Sequence, residues 1–141
     1  MKYKSFLWLL WLVPAAALFM LITSFTKGTN KNHQASIVAY TKSVTNITSM
    51  TANCNYRVTV LDPGKVKGHG VCVSSRPLPL ITHVNFPSSA PIQRAADYMV
   101  KLTSLRPSST LYARSYVKVD TGVVYGNAVA FTTLPPAQKP K

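Results

Sequence analysis

The stretch from Leu111 to Thr133 limits what this chain can fold into more than any other. Leu111, Ala113, Ser115 and Val117 alternate with Tyr112, Arg114, Tyr116 and Lys118. A period of two with one small or apolar face predicts a half-buried β-strand. Asp120-Thr121-Gly122 supplies a turn, with glycine available for positive φ. From Val123 to Thr133 the chain returns to Val, Tyr, Phe and Thr, the residues of a strand. Gly126 interrupts that run and predicts a bulge.

The segments before it carry the same signals. Ser36–Lys42 reads as a first strand, with Val44–Thr48 continuing its edge, and Thr51–Leu61 as a second. Asp62-Pro63-Gly64 is a turn in which proline presets φ and glycine relieves the next position. His69–Ser75 forms the next strand, Leu80–Phe86 a short edge strand and Asp97–Leu105 another. Strands at intervals of 8–12 residues, with no alternating helices, predict an all-β antiparallel sandwich. The tail, 135–141, is rich in proline and lysine and is expected to be disordered.

The N-terminus is of a different kind. Residues 6–25 carry no charge, and twenty residues of helix span about 30 Å, the thickness of a bilayer core. Trp8 and Trp11 lie near the start, where interfacial aromatics are favoured. Two readings stand: an uncleaved signal-anchor, or a signal peptide cut after Ala17. Both make 26–35 a linker and export 36–134 as the folded domain.

The chain also resembles fibronectin type III domains of bacterial cell-surface proteins. Leu105, Pro107, Tyr112, Arg114, Tyr116, Tyr125, Gly126, Asn127, Val129, Phe131, Thr132 and Thr133 keep step with the last two strands of that family without a gap. Val44-Thr45-Asn46-Ile47-Thr48-Ser49, Ala52 and Gly70-Val71-Cys72-Val73-Ser74 match its earlier part. The resemblance covers roughly residues 40–134 and implies one Ig-like, fibronectin type III-like sandwich serving as a binding or spacer module. One departure is clear. Leu111 stands where the family has a corner tyrosine, whose hydroxyl bonds backbone upstream. A looser corner follows, or one in which Tyr112 substitutes.

Few residues offer chemistry. Cys54 and Cys72 could pair in an exported protein, and closing that loop would contribute about 3 kcal/mol. Against pairing, Cys54 should face inward, while Val71 and Val73 claim the inward phase beside Cys72. His33, His69 and His83 lack metal-ligand spacing, and no cofactor is expected. Asp62, Asp97 and Asp120 are the only acids, scattered and mostly in turns. Neither a paired-carboxylate site nor a G-x-S-x-G elbow is present, so an enzyme is not expected.

Charge is the informative feature. The chain carries 16 Lys and Arg against 3 acids, a net of +13. Between 36 and 134 there are ten basic residues against three acids, leaving +7. Tyr112, Arg114, Tyr116 and Lys118 would form an exposed aromatic–basic stripe, either a solvated face or a surface for an anionic ligand. For an exported domain, acidic glycan, cell-wall polymer or lipid headgroups fit better than nucleic acid. The alternative is a spacer or accessory subunit of a membrane complex, recruited through 6–25.

Overall fold

The computed structural model describes residues 37–138. The apolar segment 6–25 and the linker 26–35 lie outside the described residues, as do Ser36 and the last three residues of the tail. Among the described residues seven strands run in order: β1 Val38–Thr45, β2 Ala52–Thr59, β3 Val66–Ser74, β4 Val84–Pro87, β5 Ala95–Leu102, β6 Thr110–Val119 and β7 Gly122–Thr132. They form a three-stranded sheet, β1-β2-β5, and a four-stranded sheet, β4-β3-β6-β7, with every pairing antiparallel.

The core lies between the sheets and follows the alternation. On β6, Leu111, Ala113, Ser115 and Val117 are buried. Leu111 sits opposite Phe131 of β7, and both are in the core. Tyr56, Val58, Val71 and Leu102 fill it from the other strands. Each side chain of this size contributes roughly 1.5–3 kcal/mol when removed from water.

Three bulges shape the sheets. In β7, Gly126 and Asn127 together face Ser115 of β6, which is the bulge expected at Gly126. In β1 the extra residue is Lys42, and in β3 it is Lys67. A bulge bends its strand and re-aims the side chains beside it.

The β7 bulge is where the two sheets are tied. The Asn127 side chain acts as a substitute strand. Its Oδ1 accepts from the Thr41 amide at 2.9 Å, and its Nδ2 donates to the Thr41 carbonyl at 3.0 Å. The Thr41 hydroxyl donates to the Asn127 carbonyl at 2.7 Å and accepts from the Ser115 amide at 2.9 Å. The bulge leaves Ser115 without a partner in β7, so Thr41 supplies the missing acceptor. Gly126 makes this approach feasible. A Cβ there would lie 2.3 Å from Ser115 Oγ and 2.8 Å from the Ala39 carbonyl oxygen.

Several boundaries differ from expectation. β1 stops at Thr45, and Asn46 takes a left-handed φ of 49°, which asparagine tolerates. Thr48 then closes a turn onto Thr51, so the edge does not continue through Thr48. β4 is confined to Val84–Pro87, because 75–83 folds as a covering segment. β5 begins earlier and ends at Leu102.

Two glycines of the four-stranded sheet should respond in opposite ways. Gly126→Ala forces a methyl into backbone and should lower unfolding free energy by about 1–3 kcal/mol. At Gly68 an added Cβ meets nothing within 4 Å. Gly68→Ala should therefore be neutral or slightly stabilising. Urea denaturation of both variants checks this; equal effects would contradict it.

Candidate functional site

The four stripe residues lie on the outer face of the four-stranded sheet, but they are not alike. Lys118 is exposed, Tyr112 and Arg114 are half-buried, and Tyr116 is only 2% exposed. The expected open stripe is therefore interrupted. The reason is tertiary: residues 75–83 fold over this face. Pro79 is fully buried, and the Ile81 amide donates to the Tyr125 hydroxyl at 3.0 Å. The covering segment turns at Leu78, whose φ of 59° costs a non-glycine residue on the order of 1 kcal/mol.

Arg114 anchors this arrangement. Its Nε donates to the Gly126 carbonyl at 2.7 Å, and one terminal nitrogen lies 3.5 Å from the Pro79 carbonyl. Its guanidinium sits 4.7 Å from the centre of the Tyr125 ring, a cation–π contact. The guanidinium thus joins β6 to β7 beneath the cover rather than standing free in solvent.

Both cysteines are free and buried, on opposite sides of the four-stranded sheet. Cys54 belongs to the inter-sheet core. Cys72 faces outward beneath the cover and donates its thiol to the Arg114 carbonyl at 3.3 Å. Burial pushes the Cys54 thiol up to about 12 and the Cys72 thiol up to about 11. Thiolate is the reactive form, so both are chemically quiet.

Two polar arrangements were not legible in the chain. The corner before β6 is tied by Thr133, whose hydroxyl donates to the Arg106 carbonyl at 2.6 Å and accepts from the Ser109 amide at 3.0 Å. Neither Leu111 nor Tyr112 is needed for that bond, and Leu111 packs into the core. The second arrangement is built on buried His69. Its Nε2 donates to the Ala90 carbonyl at 2.9 Å, so its Nδ1 accepts from the Tyr56 hydroxyl at 2.8 Å. Tyr98 packs on both rings. Burial raises the Tyr56 hydroxyl above its ordinary pKa.

The acids are committed within the domain. Asp97 pairs with Lys42 at 3.1 Å and Arg57 at 3.2 Å, and the Lys42 hydrogen bond leads in holding its carboxyl below the usual range. Asp120 pairs with Lys67, and Asp62 accepts from the Gly64 amide in its turn. Among the described residues, no three metal-ligating side chains of His, Cys, Asp or Glu type converge.

A trough of about 570 Å³ opens on the covered face, bordered by Lys67, Gly68, His69, Asn85, Ser88, Tyr116 and Lys118, with Ile81 and Pro87. Its lining contains two lysines and no acid. A smaller hollow of about 370 Å³ on the other sheet is lined by Lys42, Ser43, Asn55 and Asp97, with Tyr98 and Met99, and there the lysine is already paired.

Ellman's reagent should react slowly with the folded chain at pH 8 and should titrate both thiols once the chain is denatured without reductant. Fast reaction in the native state, or absent thiols after denaturation, would contradict this assignment.

No family model matches the chain, and no curated protein sequence matches it. Solved structures do. The sensor domain of the anti-sigma factor RsgI4 from Pseudobacteroides cellulosolvens superposes with a TM-score of 0.53 and 17% identity, covering 71% of this chain and 96% of that domain. A longer form of the same domain gives 0.52 and 17%, covering 75% and 97%. A fibronectin type III domain of the human KIAA0970 protein gives 0.45 and 17%, covering 74% and 77%. With the strand order above, residues 37–134 have a fibronectin type III-like fold.

Proposed function

We propose that this chain is a non-catalytic binding module held outside the cytoplasm by its N-terminal apolar segment, and that it contacts anionic polymers of the cell envelope. The observation that carries the reading is the disposition of charge. A small sandwich bears ten basic residues against three acids, and each acid is already engaged with a lysine, an arginine or a backbone amide. The remaining positive field attracts extended anionic surfaces.

Two further points support it. The uncharged stretch 6–25 is long enough to span a bilayer as a helix. The RsgI4 sensor domain uses the same kind of sandwich, and such folds carry ligands on their faces and loops; the fold itself does not name the ligand.

Retention of the full chain on an immobilised acidic glycan should be strong at low ionic strength. It should fall on the order of tenfold or more between about 50 and 200 mM salt. Equal retention at both, or none at either, would overturn the proposal.

A further inference from the structure

We infer that the trough between β3, β4 and β6 is the binding site for a carboxylate-bearing sugar unit of such a glycan, held by Lys67 and Lys118. The inference rests on the binding role proposed above and gives it a location. Four features of the trough point the same way.

The first is a bare floor at Gly68. Gly68 lies in β3 opposite Lys118 of β6, beyond the β4 pairing, which begins at Gly70. Glycine weakens a strand unless backbone or ligand must approach closely. Its φ is not left-handed, and an added Cβ would touch nothing within 4 Å. The neighbouring bulge accounts for a glycine at this point of the strand, and its missing side chain leaves the floor of the trough open.

The second is the β3 bulge. Lys67 is its extra residue, and without the bulge its side chain would follow the ordinary alternation of the strand. The bulge instead brings Lys67 to the border of the same trough as Lys118, which lies opposite Gly68. Bulges that re-aim a side chain are common beside binding sites.

The third is an under-used donor. Tyr116 is 2% exposed, and its hydroxyl lies over Gly70. The contact it makes is to Asn85 Oδ1 at 3.5 Å, beyond the range of a good O–H···O bond. Asn85 Nδ2 is equally loosely held, 3.5 Å from the Ile81 carbonyl. The hydroxyl keeps Asn85 as its partner, and so long a contact leaves it able to bond a ligand hydroxyl as well.

The fourth is the balance of the lining. Two ammonium groups, of which only Lys67 has a carboxylate neighbour in Asp120, suit an incoming carboxylate, and the amide and hydroxyls of Asn85, Ser88 and Tyr116 suit ring hydroxyls. The volume falls within the range of small-ligand sites. Lys67 is bridged to Asp120 at 3.3 Å, but both side chains are more than half exposed, so that pair is weak and an incoming carboxylate can replace it.

Calorimetric titration of the full chain in non-ionic detergent with an alginate oligosaccharide tests the site. Lys67→Gln/Lys118→Gln should weaken binding by about tenfold or more, from the loss of two charged hydrogen bonds. Arg94→Gln/Lys101→Gln removes the same charge elsewhere and should change affinity less than threefold or so. Gly68→Val keeps every charge, fills the floor and should abolish binding. If the wild-type chain does not bind, the functional reading itself fails. If it binds and the two double variants weaken it equally, or Gly68→Val binds normally, the function stands and the trough is not the site. Full displacement by equimolar inorganic phosphate would also overturn the sugar assignment.

Discussion

The Asn127 side chain is the central polar tie between the two sheets. Residues 37–138 contain no disulfide, and the sheets share no strand. Asn127 bridges them by offering its amide to the backbone of Thr41 as a neighbouring strand would, one donor and one acceptor at 3.0 and 2.9 Å. β1 and β7 are both edges. Edges with free N–H and C=O groups invite pairing with other chains, and this contact closes part of each. The bulge at Gly126 and Asn127 exists to aim that amide, and the absent side chain of Gly126 lets β1 come close enough to receive it.

The outer face of the four-stranded sheet depends on a second tie. The Ile81 amide ties the covering segment 75–83 to the Tyr125 hydroxyl, and Arg114 packs on that ring while bonding the β7 bulge, so the same irregularity serves both faces. One cation of the stripe is thereby spent on structure, while Lys118 and the bulged Lys67 remain at the rim of the trough. A charged residue on a solvent-facing strand position can thus belong to either class, and its hydrogen bonds distinguish them.

Much of the fold could be read directly. The alternation from Leu111 to Lys118 named the buried face correctly at Leu111, Ala113, Ser115 and Val117, and Gly126 marked its bulge. What alternation cannot report is contact across long sequence separation. Asn127 and Thr41 lie 86 residues apart, and nothing local to either predicts that they meet. Tyr116 sits at an outward position, yet a segment more than thirty residues earlier covers it. Cys72 is buried for the same reason, which separates it from Cys54 by the thickness of a sheet. The corner is neither looser nor tied by Tyr112, the two outcomes expected from Leu111; its hydroxyl comes from Thr133 at the far end of the hairpin. The trough arises from a bulge at Lys67 and a bare floor at Gly68, and only the glycine is visible in the chain itself.

Native-state amide hydrogen exchange at Thr41 tests the central claim most directly. Its N–H points away from β2 and is held by the Asn127 side chain. In the wild-type chain that amide should be strongly protected. In Asn127→Ala it should exchange rapidly while Val58 and Val117, in the sheet interiors, stay protected. Equal protection of Thr41 in both proteins would contradict the account.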